Sequence, residues 1–396
     1  MRLQCINGVC FKNMRIAFVS IHDPQDVSNW SGTPAFILSA LRRHVETLEV
    51  IGPLNQTAKY LYAPYKVIEK LRGKGVHVDR HELVLRSYAR QIERRIANRK
   101  FDAIITLSSI AIARLPLGIP VVFWTDATLE GMVNYYSQEY AGLSAHELRI
   151  GHQQEQNALD RAAYAVYSSE WTAQCVHDNY RIAPEKLQVI KFGANLSIDH
   201  DLAMVTQLID ARIARECVLL FIGVDWDRKG GAIAFETARI LNERGVKTVL
   251  KVVGCRAPEA PFVEQLGFIS KSTHEGQARI RELLETSTFF ILPTRAEAAG
   301  IVFCEASGYG LPILATRTGG VESYVRDGET GFCLPLTAKP DEYANHIQST
   351  LQNPETYRKL SSRAFAEYQQ TLNWDSAVSH LLNLVRKART KPSLPS

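Results

Sequence analysis

Short apolar runs alternate with amphipathic stretches along most of the chain. Residues 103–107 and 121–124 are nearly continuous apolar runs, as expected of strands buried on both faces of a parallel sheet. The strands predicted in the first half are 15–20, 48–51, 76–79, 102–107, 120–125, 163–168 and 187–191. Helical patterns lie between them, at 34–45, 83–99, 146–160 and 170–179. This alternation predicts a doubly wound parallel sheet.

The same alternation restarts in the second half of the chain. Strands are predicted at 217–223, 248–253 and 288–292, and helices at 231–244, 275–286, 302–309, 320–326 and 375–389. Two such blocks predict two Rossmann-like α/β domains. The expected parts are an N-terminal extension at 1–13, a first domain at 14–200, a second domain at 201–372 and a C-terminal segment at 373–396. We expect the helix of that last segment to pack back on the first domain.

Ligands of doubly wound sheets bind beyond the carboxyl ends of the strands. With two such domains, a cleft between them is the expected binding site. The candidate loops are 20–33, 125–131, 223–230, 254–258, 293–301 and 315–320.

Composition narrows the class of partner. The chain has 396 residues and a formal net charge of +5, which is too mild for a dedicated nucleic-acid binder but leaves room for anionic ligands or an anionic membrane surface. The seven cysteines are scattered and odd in number, which favours reduced thiols and a cytoplasmic location. No apolar run reaches about 18 residues, so no membrane span is expected.

The segment 293–306 is the strongest candidate for chemistry. A strand is predicted to end at Leu292 and a helix to begin near Ile301, with small residues between them that let a ligand approach the backbone. The amides at that helix start suit a diphosphate; they belong to Ala299, Gly300, Ile301 and Val302. Glu305 would accept hydrogen bonds from ribose hydroxyls, and Glu297 would contact a sugar. Spacing alone leaves a second interpretation open, in which both glutamates are solvated surface carboxylates.

Glu297 and Glu305 resemble the E-x7-E signature of the family 4 retaining glycosyltransferases. The likeness continues through Gly308, Gly310, Pro312, Ala315, Thr316, Gly319, Gly320, Glu322, Asp327, Gly328, Gly331 and Phe332. The resemblance implies the GT-B fold, with two Rossmann-like domains facing across a deep cleft. It also implies that the second domain binds the nucleotide of an NDP-sugar and the first binds the acceptor. The sugar would be transferred with retention of configuration, with no metal and no further cofactor.

A basic loop follows the first predicted strand of the second domain. The run from Leu219 to Gly223, followed by Arg228 and Lys229, resembles the family's strand, basic loop and helix. Lys229 would then hold the distal phosphate and offset the charge that develops on the leaving diphosphate. Arg228 is a weaker candidate for that role, and Gly223 would lie against the donor. A solvated lysine at a helix start is the alternative.

The first domain carries a second glycine-containing loop, Trp30-Ser31-Gly32-Thr33-Pro34. By resemblance to the family's loop over the diphosphate and the acceptor, Gly32 and Thr33 would bind the donor. A plain helix N-cap by Thr33 is the alternative, and the two roles are compatible.

The chain departs from the family's pattern at three places. Val224 stands where many members have an arginine, and Asp126 stands where many have a histidine. Asp126 would bond the donor sugar or the acceptor hydroxyl, or cap the following helix. Ala298 and Ala299 replace the usual glycine and aromatic residue. By resemblance the catalytic residues are therefore Glu297, Lys229 and Asp126, and the departures concern the donor sugar more than the reaction class.

Two further charge patterns have a structural and a functional interpretation. Asp225-Trp226-Asp227 matches the D-x-D motif that binds metal nucleotides in another architecture, but we favour a structural or surface role and expect no required metal. A basic stretch on the helix at 83–99 includes Arg86, Arg90, Arg94, Arg95, Arg99 and Lys100. We favour a solvated helix face, with contact to anionic lipid headgroups as the alternative.

The sequence thus predicts a retaining glycosyltransferase that moves a sugar from an NDP-sugar to a hydroxyl of a glycan, a glycolipid or a small molecule. The predicted location is the cytoplasm, including a peripheral position at the inner face of the membrane. Two alternatives stay open. One is a non-catalytic sugar-nucleotide-binding partner subunit, motivated by Val224 and Asp126. The other is an NDP-sugar epimerase on a similar fold.

Overall fold

A computed structural model describes residues 13–116, 118–136, 140 and 142–390, and the chain divides into two compact units. The first unit contains the residues up to Ile190 and those from Asp375 onward, and the second runs from Lys191 to Trp374. The expected limits were residues 200 and 372. The predicted extension at 1–13 lies, apart from its last residue, outside the described residues.

The first unit is built on a sheet of six parallel strands in the order β2-β1-β3-β4-β5-β6. The strands are β1 Arg15–Val19, β2 Thr47–Ile51, β3 Ala103–Thr106, β4 Val121–Thr125, β5 Tyr164–Tyr167 and β6 Leu187–Val189. The helices are α1 Thr33–His44, α2 Ala63–Leu71, α3 Glu82–Ile96, α4 Leu129–Tyr135, α5 Ala145–Arg161 and α6 Glu170–Asn179.

The second unit repeats this architecture, with six parallel strands in the order β12-β11-β10-β7-β8-β9. The strands are β7 Cys217–Ile222, β8 Thr248–Val253, β9 Val263–Gly267, β10 Phe289–Leu292, β11 Ile313–Thr316 and β12 Gly331–Leu334. The helices are α7 Leu202–Ile213, α8 Gly231–Glu243, α9 His274–Thr286, α10 Ile301–Gly308, α11 Pro340–Gln352 and α12 Pro354–Gln370. A last helix, α13, spans Trp374–Thr390.

The inner strands of both sheets are almost entirely buried. Every residue of β3, β10 and β11 is buried, which explains why these strands read as continuous apolar runs rather than as alternating ones. The two doubly wound α/β sheets predicted from the sequence are confirmed.

Helix α13 packs on the first unit through an apolar stripe. Val378, Leu381, Leu382 and Val385 are all fully buried and recur at helical spacing. At the helix start, the Asp375 carboxylate accepts hydrogen bonds from Arg43 Nε at 3.0 Å and His44 Nε2 at 2.9 Å. Burial alone would raise the pKa of Asp375, but these two partners lower it overall.

Two predicted elements are wrong. Residues 76–79 form no strand, because their polar groups bond elsewhere: the His77 amide donates to Glu147 Oε2 at 3.1 Å, and Val78–Arg80 is a 3-10 turn. The predicted helix at 320–326 is only a 3-10 turn, Val321–Ser323. No range was predicted for α2, α4, α7, β9, β11, β12, α11 or α12.

All five cysteines within the described residues are free thiols: Cys175, Cys217, Cys255, Cys304 and Cys333. Burial raises the pKa of the Cys217 thiol to about 12. None of the described helices combines the length and apolarity that a bilayer crossing requires.

Helix α5 carries a buried carboxylate that ties three segments of the first unit together. Glu147 is 5% exposed and accepts hydrogen bonds from Tyr65 OH at 2.8 Å and His81 Nε2 at 3.0 Å. Desolvation alone would raise its pKa, but the bonds from His81 and Tyr65 lower it below the usual 4.5.

We expect Glu147 to contribute acid sensitivity to the first unit. A depressed pKa in the folded state gives stability that is present above the unfolded-state pKa and is lost as the pH falls through the folded value. Glu147→Gln should therefore lower the stability at neutral pH by about 1–3 kcal/mol and flatten the decline below pH 4.5. Urea unfolding across that range would measure both effects. A variant whose stability falls as steeply with acid as the wild type would contradict the assignment.

Candidate functional site

The second sheet contains a point where the strand order reverses. The chain proceeds from β7 to β8 on one side, and β10 later pairs with β7 on the other side. The loops that follow β7 and β10 therefore diverge and leave a crevice at the carboxyl edge, where doubly wound sheets bind ligands. These loops are residues 223–230 and 293–300.

Lys229 and Glu297 meet between these two loops. The Lys229 ammonium is paired with Glu297 Oε2, and the two side chains are 13% and 12% exposed. Lys229 lies next to the start of α8, where a cation is unfavourable without an anion nearby. In the structure, the Glu297 carboxylate is such an anion.

Two glycines allow Lys229 and Glu297 to meet between the two loops. A Cβ at Gly223 would lie 2.9 Å from Lys229 Cγ, so the absence of a side chain lets the lysine stem cross the end of β7. Gly230 has φ +76°, and a Cβ there would lie 1.9 Å from the Pro293 carbonyl oxygen. A side chain at Gly223 would displace the Lys229 stem, and one at Gly230 would overlap the backbone of the neighbouring loop, so neither position tolerates a larger residue without movement.

Arg228 connects the same two loops. Its Nη1 donates to the Ala296 carbonyl at 3.0 Å, and its own carbonyl accepts from the Arg295 amide at 2.8 Å. The Arg228 amide donates to Asp225 Oδ1 at 3.0 Å, so the first aspartate of the D-x-D motif caps a turn. This contact supports the structural role favoured for that motif. Val224 is 69% exposed.

The start of α10 faces the loops with unused amides. Gly300 is the N-cap, and its carbonyl accepts from the Phe303 and Cys304 amides at 2.9 and 3.2 Å. Among the described residues, no backbone acceptor pairs with the amides of Ile301 and Val302, as expected for a first helical turn. Ala299 is 9% exposed. Such a helix start is suited to bind an anion.

Glu305 lies in α10, slightly more than one turn from its start. It is fully buried, so the alternative of a solvated helix-surface carboxylate is wrong for this residue. Both of its oxygens accept hydrogen bonds from Lys271 Nζ, at 2.5 and 2.6 Å. The buried carboxylate is therefore neutralised by an ammonium from another loop.

Lys271 was not found by reasoning from the sequence. It lies between β9 and α9, and its carbonyl accepts from Gln277 Nε2 at 2.8 Å. Its side chain is 24% exposed. The only signal was its position after a strand, and β9 was itself not predicted.

The loop after β11 forms hydrogen bonds with the backbone of the loop that carries Glu297. The Gly320 amide donates to the Glu297 carbonyl at 2.9 Å, and Thr318 Oγ1 donates to the Arg295 carbonyl at 3.3 Å. Gly319, between them, has φ +51°, a left-handed conformation that favours glycine. Three neighbouring strands thus supply the loops that hold this carboxylate.

In the first unit, the loop after β1 contacts the loop after β4. Trp30 Nε1 donates to Asp126 Oδ2 at 3.3 Å. Trp30, Ser31 and Gly32 have φ of 47°, 55° and 82°, three successive left-handed residues, and this conformation is strained for the first two. The strain is concentrated where the resemblance places a donor-binding loop.

Two capping alternatives in the first unit are wrong. Gly32, not Thr33, is the N-cap of α1, and Thr33 is the buried first residue of that helix. Helix α4 is capped by Thr128, whose Oγ1 accepts from the Gly131 amide at 3.0 Å, and not by Asp126. Capping therefore explains neither residue.

Of the predicted site residues, Gly32, Thr33 and Asp126 belong to the first unit. The second unit holds the remaining ones: Gly223, Arg228, Lys229, Glu297, Ala299, Gly300, Ile301, Val302 and Glu305. Their roles toward a ligand stay predictions. Within the described part of the chain, no three His, Cys, Asp or Glu side chains group as metal ligands would. Metal independence also stays a prediction.

Comparison with known proteins shows which enzymes the chain is similar to. Residues 211–367 match the family model of the group 1 glycosyl transferases. The chain is 26% identical, over 294 residues, to a D-inositol 3-phosphate glycosyltransferase of Rhodococcus opacus, covering 70% of this chain and 64% of that protein. It is also 26% identical, over 289 residues, to the enzyme of that name from Corynebacterium efficiens, covering 69% and 66%. The matches thus span slightly less than two thirds of these relatives.

Solved structures show the same fold. The Anabaena HepE structure in complex with UDP and glucose superposes with a TM-score of 0.60 at 16% identity, covering 94% of this chain and all of HepE. Sucrose-phosphate synthase of Thermosynechococcus elongatus gives 0.63 at 18% identity, covering 95% and 99%. The fold is that of the GT-B glycosyltransferases, as predicted. In its fold and in the sequence of its second unit, the chain is similar to glycosyltransferases.

Proposed function

We propose that the protein is a retaining, metal-independent glycosyltransferase that uses an NDP-sugar donor. The observation that carries the proposal is the meeting of Lys229 and Glu297 beside the start of α10, at the strand-order reversal of the second sheet. A cation, a carboxylate and unused helix amides at one crevice suit a sugar diphosphate. The match of residues 211–367 to group 1 glycosyl transferases supports the same chemistry.

The main site residues of the second unit have separate roles in this proposal. The diphosphate lies against the amides of Gly300, Ile301 and Val302, and Lys229 offsets the charge that develops as the glycosidic bond breaks. Glu297 orients the sugar. The vicinal ribose hydroxyls donate to Glu305. The leaving diphosphate itself takes up the proton of the attacking hydroxyl.

The first unit would bind the acceptor. Its Asp126 would bond the donor sugar or the acceptor hydroxyl, and its loop at Gly32 and Thr33 would bind the donor. The acceptor is a hydroxyl of a glycan, a glycolipid or a small molecule. The relatives are named for D-inositol 3-phosphate, so phosphorylated cyclitols belong in the first acceptor panel. The HepE complexes with UDP and UDP-glucose make uridine donors the first to test. We place the protein in the cytoplasm, including a peripheral position at the inner face of the membrane.

A thermal-shift panel of NDP-sugars tests the donor, since a ligand that binds only the folded state raises the melting temperature. The best stabiliser then enters a transfer assay with and without EDTA, and NMR of the product reads its anomeric configuration. Retained configuration and EDTA resistance are expected. Binding without transfer or donor hydrolysis would indicate a non-catalytic subunit. Conversion of the lone donor to its epimer would indicate an epimerase.

We expect Lys271 to act as a positioning residue for Glu305. Lys271→Met removes the ammonium from a fully buried carboxylate, which then turns or recruits water instead of facing the ribose. The affinity for a nucleoside diphosphate should fall about ten-fold. Isothermal titration would measure it, with Lys271→Arg as the variant that restores part of the binding. A purely structural role would lower the melting temperature and leave the dissociation constant of the folded protein unchanged.

A further inference from the structure

Exposed apolar side chains concentrate on one segment of the first unit, residues 57–74, which comprises a 3-10 turn, α2 and the turn that follows. The exposed side chains are Tyr60 at 77%, Leu61 at 66%, Val67 at 59%, Ile68 at 47% and Leu71 at 84%. Scattered exposed apolar residues need no explanation, but a contiguous group marks an interaction surface.

Helix α2 exposes its apolar stripe to solvent, whereas an ordinary surface helix buries it. Pro64, Val67, Ile68 and Leu71 follow the spacing of one helical stripe, and that stripe faces solvent. The acidic residue of the helix, Glu69, is instead 6% exposed and accepts a hydrogen bond from Arg72 at 2.9 Å. Glu69 therefore faces the protein, whereas the apolar stripe of α2 is largely exposed to solvent.

Basic residues flank the apolar stripe. The 57–74 segment contains five of them, Lys59, Lys66, Lys70, Arg72 and Lys74, against Glu69 as its one acidic residue. Lys59 is paired with Asp79, and Arg72 with Glu69. Lys66, Lys70 and Lys74 are exposed. An apolar stripe bordered by lysines is the pattern of a helix that lies in the interface of an anionic bilayer.

The other basic helix does not have this arrangement. The apolar residues of α3, including Val84, Leu85 and Ile92, are buried in the core of the first unit. Arg86 is paired with Glu82, and Arg99 with Glu49. Helix α3 therefore presents charge to solvent without an apolar face to insert, as in the interpretation favoured from the sequence.

We propose that the 57–74 segment binds the surface of an anionic lipid bilayer. Tyr60, Leu61, Val67, Ile68 and Leu71 enter the boundary between headgroups and acyl chains, and the lysines lie against lipid phosphates. Charge complementarity favours this occupant over a second copy of the chain, since a two-fold contact would bring the same basic rim against itself. The proposal rests on the membrane contact proposed above and is independent of the transfer reaction.

The same surface borders a cavity of the first unit. This cavity has a volume of about 780 Å³ and is lined by Lys59, Tyr60, Ala63 and Lys66 of the segment, with Asn55 and His77 among the other residues. A molecule held at the bilayer surface would present its headgroup directly to this opening.

Co-sedimentation with vesicles tests the proposal on the full chain. The wild type should bind mixed phosphatidylcholine and phosphatidylglycerol vesicles and should bind pure phosphatidylcholine much more weakly. Ile68→Ser/Leu71→Ser should lower the partition coefficient more than about ten-fold. Lys66→Gln/Lys70→Gln should lower it about 25-fold at low salt, at roughly five-fold for each lysine.

Two matched controls locate the surface. Leu202→Ser/Met204→Ser removes apolar side chains that are 57% and 46% exposed on α7, and it should leave binding unchanged. Arg90→Gln/Arg94→Gln removes two charges from the exposed face of α3, and it should also leave vesicle binding unchanged. Absence of vesicle binding by the wild type would overturn the proposal, as would an equal loss in the controls. A dimer in analytical ultracentrifugation that Ile68→Ser/Leu71→Ser dissociates would identify a second copy as the occupant instead. Donor hydrolysis in solution reports separately on the catalytic proposal.

Discussion

Lys229→Met is expected to lower kcat/KM for glycosyl transfer by about 10²–10³-fold, which corresponds to about 2.7–4 kcal/mol of transition-state stabilisation. The lysine lies at the strand-order reversal of the second sheet, and its ammonium is one of the charges in a crevice that is largely closed to solvent. In such a site, a fixed positive charge is worth far more to a departing diphosphate than it would be in water. Steady-state transfer rates with the best donor of the thermal-shift panel measure the effect.

A matched control separates this role from a general loss of charge. Lys251 of β8 is also a partly buried lysine, 20% exposed, and its Nζ lies 3.6 Å from Glu264 Oε2. Lys251→Met should leave the rate within a few-fold of the wild type. A Lys229→Met enzyme that keeps more than a tenth of the wild-type kcat/KM, or a control that loses as much, would contradict the role of Lys229.

The contact between Lys229 and Glu297 makes a further consequence measurable. Because the two side chains are in direct contact, the effects of Lys229→Met and Glu297→Gln should not add. If both act on one transition state, the double variant should lose little more than the worse single variant. Independent roles would instead give the product of the two single effects.

Most strands of the two sheets could be predicted because their signal is local. The sequences of β3 and β4 are nearly continuous apolar runs, and almost every residue of these strands is buried in the structure. The signal for the start of α10 was also local, because a run of small residues separates the end of β10 from Ile301. These two features were enough to locate the loops of the candidate site.

Other parts depend on contacts that the sequence does not display. Val76 and Val78 alternate as in a strand, but the His77 amide between them donates to Glu147, 70 residues further along the chain. Helix α2 was also not predicted, although Val67, Ile68 and Leu71 have helical spacing, and its apolar stripe faces solvent. A pattern reports which residues are apolar, and only the fold decides which of them are covered.

The ion pairs of the candidate site are also non-local. Lys271 reaches Glu305 across 34 positions, and Lys229 reaches Glu297 across 68. The sequence named three of these four residues because they fall in recognisable loops. It could not name their partners, because pairing depends on which strands become neighbours.

Arg212 is a buried cation that holds two helix ends of the second unit together. It is 2% exposed, and burial lowers its pKa. Its guanidinium donates to the Leu284 carbonyl at 2.8 Å and the Glu285 carbonyl at 3.1 Å, in the last turn of α9. It also donates to the carbonyls of Tyr309 at 3.0 Å and Gly310 at 3.2 Å, directly after α10. Carbonyls at helix C-termini have no intrahelical partner, and both ends carry partial negative charge.

Arg212→Met is therefore expected to destabilise the second unit by about 3–5 kcal/mol, since it removes the donor of three buried hydrogen bonds and one partly buried hydrogen bond to carbonyls. Arg212→Lys should recover only part of this, because a single ammonium cannot reach all four oxygens. Urea unfolding, with hydrogen exchange of the α9 and α10 amides to assign the transition to the second unit, would measure the loss. Arg215 is an exposed residue just after α7, the helix that contains Arg212. Arg215→Met should therefore change the stability by less than about 0.5 kcal/mol. Equal effects at the two positions would show that the buried guanidinium does not join these helix ends.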